Sequence, residues 1–203
     1  MRTPKAGRTG RKLIAGFCLV LSCAGGCVAK SHIYDGEALV KGRKLAVLPG
    51  VGAPGPDGQN AGVMQAGVLI TELANLQRYH VTGPGHLRKE LADRTQPVGP
   101  ALASEAAGKL RIDLLVLPEV TDYRFTKGST SAWFLVDSTN KTTSKYWVTV
   151  RVLIVHPDSG KLVYSGTGSA DSDKGYGPAV LEATAKCTAE LRKFLADAPS
   201  GRG

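Results

Sequence analysis

The sequence is short of the features that announce chemistry. It has four cysteines in 203 residues. Three of them, Cys18, Cys23 and Cys27, crowd the N-terminus and leave Cys187 alone. That excludes a disulfide framework and any CxxC pair suited to zinc. The histidines at 32, 80, 86 and 156 form no HxxxH or HExxH spacing, so no metal site is expected. No GxSxG and no GK[ST] occurs, which removes the nucleophile elbow and the P-loop. Aromatics make up 6% and are scattered, so there is no base-stacking platform. No apolar run reaches the ~20 residues of a membrane-spanning helix. There is no internal repeat.

What is present begins at the N-terminus. Arg2, Lys5, Arg8, Arg11 and Lys12 form a basic head with no acid among them. The apolar run Leu13 to Leu21 and the small-residue segment Ser22-Cys-Ala-Gly-Gly-Cys27 follow. Basic, then apolar, then small is the order of a secretory leader. A cysteine just after it looks like a bacterial lipobox, in which the thiol is lipidated and the leader removed. Cys23 follows Val20-Leu21-Ser22, and Cys27 follows Ala24-Gly25-Gly26. Either serves as the lipidation site. Cys23 fits the preference for an aliphatic residue three positions upstream, and Cys27 does not. An ordinary signal-peptidase site ending at Gly26 or Ala29 is the bland alternative. Ala24 or Val28 stands after the cysteine, never Asp; by resemblance to enterobacterial sorting this implies the outer membrane, facing the periplasm. Multiple acyl chains, at ~0.8 kcal/mol per buried CH₂, make such anchoring stable.

The net charge of +9 owes five positive charges to the leader. The rest carries 21 basic and 17 acidic side chains, a net of +4. That modest excess and an exported address argue against a nucleic-acid partner.

Beyond the leader (1–22) a polar tether is expected over 23–43, then one α/β domain over 44–197 and a loose tail over 198–203. Lys44-Leu-Ala-Val-Leu-Pro49 reads as a strand buried on both faces. Gly50 to Asn60 reads as a loop. Ala61 to Gln77 has helical spacing at Ala66, Leu69, Ile70, Leu73 and Leu76, with Asn60 as its cap. Tyr79 to Thr82 is a short strand. Pro84–Arg94 and Ala101–Leu110 are helices, and Ile112 to Pro118 is a buried strand. Tyr146 to Val155 is the strongest strand signal, with Tyr146, Val148, Val150, Val152 and Ile154 on one face. His156-Pro-Asp-Ser-Gly160 is a turn, and Lys161 to Ser165 returns beside it. Gly166 to Gly177 reads as a flexible polar loop. Pro178 to Asp197 is the closing helix, with Val180, Thr184, Cys187, Leu191 and Phe194 turned inward. The order β-α-β-α-α-β-β-β-α predicts a single three-layer α/β domain with a mixed sheet.

Several phrases resemble the CsgG-like outer-membrane lipoproteins, a family that includes the curli-secretion channel and the penicillin-binding-protein activator LpoB. They are Lys44-Leu-Ala-Val-Leu-Pro49, Leu69-Ile-Thr-Glu-Leu73, Ile112-Asp-Leu-Leu-Val-Leu117 with Glu119-Val-Thr-Asp-Tyr123, and Val148-Thr-Val-Arg-Val152 with Asp158-Ser-Gly-Lys-Leu162. The resemblance covers Leu45 to Leu195. It implies a periplasmic α/β domain without enzymatic chemistry or cofactor. The channel member inserts two hairpins per subunit. Here residues 126–150 offer one candidate, and the twelve polar residues 166–177 are too short and too polar for a second.

Gly50-Val-Gly-Ala-Pro-Gly55 spells GxGxxG after a strand. Pro54, Pro56 and a helix expected only from Ala61 argue against a nucleotide there. Glu119 and Asp122 are expected as solvated strand-end acids. Nine of the twenty residues from Thr126 to Lys145 are Ser or Thr, and Trp133-Phe134-Leu135-Val136 sits among them. That apolar cluster is a candidate contact for lipid or a partner; a strand folding back on the sheet is the equal alternative. The expected function is that of a non-enzymatic, membrane-anchored domain binding envelope proteins, with homo-oligomers possible. A ring-forming channel component and a nucleotide-binding envelope protein are the rivals.

Overall fold

The structure is a computed structural model that describes residues 29–54, 56–90, 100–134 and 137–198. The elements run β1 (Lys30–Ile33), α1 (Gly36–Lys41), β2 (Lys44–Val47), α2 (Pro56–Asn75), β3 (His80–Thr82), α3 (Pro84–Glu90), α4 (Pro100–Leu110), β4 (Leu114–Phe134), β5 (Asp137–Val155), β6 (Leu162–Ser172) and α5 (Tyr176–Asp197). From β2 onward this is the order expected. One six-stranded sheet is formed, in the order β1-β6-β5-β4-β2-β3. Strands β3, β2 and β4 are parallel, joined by helical crossovers, and the β4-β5-β6-β1 half is antiparallel.

The sheet is buried on both faces only where both helical layers reach it. Leu45, Val47, Leu114 and Val116 pack with α2 and α5 in the larger core. Their alternate neighbours Ala46, Leu48 and Leu115 pack with Leu87 of α3 and Ala103, Ala106 and Ala107 of α4. This is why the β2 phrase lacks alternation. Strand β5 behaves differently. Val148, Val150, Val152 and Ile154 are buried under the helices, whereas Arg151 on the other face is exposed. Helix α5 buries Val180, Thr184, Cys187 and Leu191 as its spacing requires, and Phe194 packs at the edge.

Three expectations change. The supposed tether contains β1 and α1: Lys30 to Ile33 pair with Thr167 to Tyr164, and Leu39 is buried in the main core. A four-residue edge strand and a six-residue helix are too short to show periodicity. The local signal was Asp35, whose side chain accepts from the Ala38 amide at 2.9 Å and caps α1. Helix α2 starts at Pro56, not Ala61, so Asn60 lies inside it and is no cap. The polar stretch after Ser165 is not a loop as far as Ser172; it continues β6. Its inward positions are Gly166, Gly168 and Ala170, across which α5 lies. A Cβ on Gly168 would stand 2.3 Å from the Ala183 carbonyl oxygen, and one on Gly166 would stand 2.4 Å from that of Cys187. Small residues, not apolar ones, mark the buried face there. Helix α3 agrees with expectation as far as Glu90; 91–94 lie outside the described residues.

Candidate functional site

The most distinctive surface grows out of β4 and β5. Strand β6 accompanies β5 only from Val155 to Tyr146. Beyond that point Thr126 to Phe134 pair residue by residue with Lys145 to Asp137. Among the described residues these segments pair with nothing else, so a two-stranded ribbon projects past the sheet. The expected loop is therefore strand up to Phe134 and again from Asp137. Trp133 pairs with Ser138 and Phe134 with Asp137 at its end. Leu135 and Val136 lie outside the described residues, as do the leader, Cys23 and Cys27.

A bulge at Thr121 sets what the ribbon presents. Before it, Val116 and Val120 point into the helical core, opposite Ile154 and Val150. The register then shifts, so that Tyr123 stands opposite Val148 and Phe125 opposite Tyr146. One extra residue thus exchanges the faces of everything that follows. Without it Asp122 and Arg124 would turn toward α5. With it, Tyr123 stacks on Tyr176 at 3.6 Å between ring centroids, Tyr146 meets Tyr176 at 4.7 Å and Phe125 meets Tyr146 at 4.9 Å. These four rings clamp the ribbon base to the start of α5. Phe125, 47% exposed, marks the limit of the core. Side chains complete the bonding around the bulge. Thr121 Oγ1 donates to the Thr149 carbonyl at 3.2 Å, and buried Gln65 Nε2 to that of Arg151 at 3.1 Å.

The open sheet face is internally paired. Arg151 donates to Glu119 through Nε at 2.8 Å, Arg124 to Asp122 at 2.7 Å, and Lys145 meets Asp171 at 2.8 Å. Glu119 and Asp122 therefore serve separate arginines and form no carboxylate couple for acid–base work. Among the described residues no group of three His, Cys, Asp or Glu is gathered to hold a metal. Nor is any helix there long and apolar enough to cross a membrane.

The GxGxxG segment has a packing explanation. A Cβ on Gly50 would lie 1.8 Å from the Gly62 carbonyl oxygen, and one on Gly52 would lie 2.0 Å from that of Gly58. These glycines let the loop lie against the backbone of α2, so their bare surface is already used. The late helix start expected from sequence is not the reason, since α2 begins at Pro56. Cys187 is fully buried, and desolvation pushes its thiol up to about 12. It behaves as a small core residue.

No protein-family model matches the chain, and no curated protein matches it. Solved structures do. A point variant of PelC from Paraburkholderia phytofirmans, solved as a dodecamer, aligns over 82% of this chain and 98% of its own, at 19% identity and a TM-score of 0.56. A second PelC dodecamer structure from that organism aligns over 81% and 98%, at 19% identity and 0.53. The LpoB C-terminal domain from Salmonella enterica is more distant, at 14% identity, 64% and 82% coverage and 0.44. The chain shares the PelC fold. At this identity the likeness is one of fold.

Proposed function

We propose that this protein is an outer-membrane-anchored lipoprotein that acts in the periplasm by contact and not by turnover, binding other envelope proteins through its ribbon. The observation that carries this reading is the ribbon itself. Nine paired positions on each strand extend beyond the sheet and end at Trp133 and Phe134. A bare two-stranded ribbon is marginal in water, so keeping one beyond the core suggests that something binds it. The lipobox-like leader supplies the location. The separately paired acids and the filled glycine loop supply no catalytic group.

Two experiments test it. Replacing Cys23 or Cys27 by Ala, singly and together, should leave an uncleaved precursor once the acylated cysteine is lost. Unchanged processing and membrane partition in all three variants refutes the anchor. Photo-crosslinking in cells from positions 133 and 134 should then capture a defined envelope protein; crosslinks from neither position would remove the ribbon's role.

A second reading is a ring of copies, as in the curli-secretion channel. It is favoured by the dodecameric state of the PelC structures, whose fold this chain shares. Native mass spectrometry after detergent extraction separates the two, since a large defined multimer supports the ring and a monomer or dimer does not. In either case a lone ribbon does not span a bilayer. Neither face alternates into an apolar band, and both edges would leave backbone groups unpaired in lipid.

A further inference from the structure

The register of the sheet fixes where the N-terminus leaves the domain. Lys30 pairs with Thr167, Thr167 with Arg151 and Arg151 with Glu119, so all four stand at one level. Moving from Ile33 back to Lys30 follows β6 from Tyr164 to Thr167. That is the direction in which the ribbon projects. The chain toward Cys27 and Cys23 therefore leaves on the ribbon's side.

Two lengths now conflict. From the level of Lys30 to the ribbon's last described pair is the distance from Arg151 to Asp137. At ~3.4 Å per residue those fourteen steps span roughly 45–50 Å. The connection from Cys27 to Lys30 is three residues and that from Cys23 is seven. However they are arranged, they reach at most ~11 Å and ~25 Å. A ribbon aimed straight at the anchoring leaflet would overshoot the membrane surface by ~20 Å or more, most of a ~30 Å hydrocarbon core. Its composition forbids that: Lys127, Lys141, Lys145 and Asp137 lie along it, and nine of its residues are Ser or Thr. The other escape is a connection that doubles back. Five register steps, or ~17 Å, separate the level of Arg151 from the sheet's far end at His156. With at least two residues spent on the reversal, the five left of even the seven-residue connection reach only about that distance when fully extended.

We infer that the ribbon lies along the lipid surface that holds the anchor. It inclines by no more than about 30° to the membrane plane, the angle whose sine is the ratio of the longer reach to the ribbon length. The inference rests on the lipid-anchor reading above. The occupant of the ribbon's outer side is phospholipid headgroup. By strand alternation Trp133 and Lys127 share one ribbon face, the one assigned to lipid, while Phe134, Lys141 and Lys145 share the other; tryptophan and lysine are residue types that anchor at a membrane interface. The domain is thereby laid on its side, and contact with periplasmic partners falls to the surfaces turned away from lipid, the ribbon face that carries Phe134 among them.

The test uses mature, acylated protein in phosphatidylethanolamine–phosphatidylglycerol vesicles. Trp147→Phe leaves Trp133 as the sole tryptophan; should that variant misfold, the wild-type minus Trp133→Phe difference reports the same residue. Lipids brominated near the headgroup should reduce Trp133 emission about twofold, as expected of an interfacial ring. Lipids brominated near the bilayer centre should have little effect. Inserting twenty Gly/Ser residues after Cys27 should remove at least about half of the quenching, since the longer connection frees the domain. Protein that carries acyl mass and floats with vesicles but shows no quenching overturns the inference and leaves the anchor intact. Quenching from the bilayer centre overturns it in favour of insertion. Absence of acyl mass overturns the anchor reading itself.

Discussion

Replacing Gly168 by alanine asks the β6–α5 contact to accept one methyl group. The new Cβ would stand 2.3 Å from the Ala183 carbonyl oxygen and 2.6 Å from the Cys187 amide nitrogen. Both are backbone atoms inside a 22-residue helix, so no side chain can rotate away. To restore van der Waals contact α5 must lift by about 1 Å over a region that buries Val180, Ala183, Cys187 and Leu191. The lift also stretches the bond from the Tyr164 hydroxyl to the Cys187 carbonyl. Overpacking of this kind costs about 1–3 kcal/mol. In a domain of this size each kcal/mol lowers Tm by ~2–4 °C, so a fall of roughly 2–12 °C is expected in calorimetry or thermal CD. The same chemical change at Gly67 should have the opposite sign. Gly67 lies in the interior of α2 with nothing within 4 Å of its would-be Cβ. Alanine there gains up to about 1 kcal/mol in helix propensity. A Gly168→Ala protein as stable as wild type would refute the close helix-to-sheet approach on which the β6 assignment rests.

The other expectations follow from the N-terminal segment, the ribbon base and the core thiol. Asp35 is held below its ordinary value first by the Ala38 amide, then by Lys161 and His156, each 3.7 Å away. Its contribution is present above its unfolded pKa and is lost as pH falls through the lower folded one. The protection of the Ala38 amide, measured against its intrinsic exchange rate at each pH, should therefore fall on acidification below about pH 4 in wild type, and show no such step in Asp35→Asn. Tyr176→Ala should cost the stack on Tyr123 and the edge contact with Tyr146, about 0.5–1.5 kcal/mol per ring pair beyond lost burial. Urea titration measures the loss, and faster amide exchange at 123–126 relative to 150–154 would localise it. Cys187, raised by burial, should resist maleimide in native protein at about pH 8 and react on adding denaturant; prompt native labelling would place it at the surface.

Much of the fold was legible because its signals are local. Lys44 to Pro49, Tyr146 to Val155 and the 180-184-187-191 spacing of the last helix each state a period and a face without reference to the rest of the chain. The ribbon was half legible. Its Ser/Thr content looked like a loop, because a strand pair that runs on past the sheet carries no hydrophobic alternation to read. Strand β6 failed for a related reason: Gly166, Gly168 and Ala170 keep the alternation, but in size and not in hydropathy. The glycine motif looked like a phosphate loop because sequence shows which residues lack a side chain, not what occupies the space.

The sequence by itself determined the element order from β2 to α5 and the inward residues of β2, β5 and α5, since those follow from residue type and short-range spacing. Only the tertiary structure decided the rest. It drew β1 and α1 into the domain through partners more than 120 positions away. It turned Tyr123 and Phe125 inward by one bulged residue. It set the N-terminal strand and the ribbon side by side, pointing the same way. These are matters of register between distant strands, and register is fixed by the summed packing of a whole sheet against its helices, a quantity no short stretch of sequence contains.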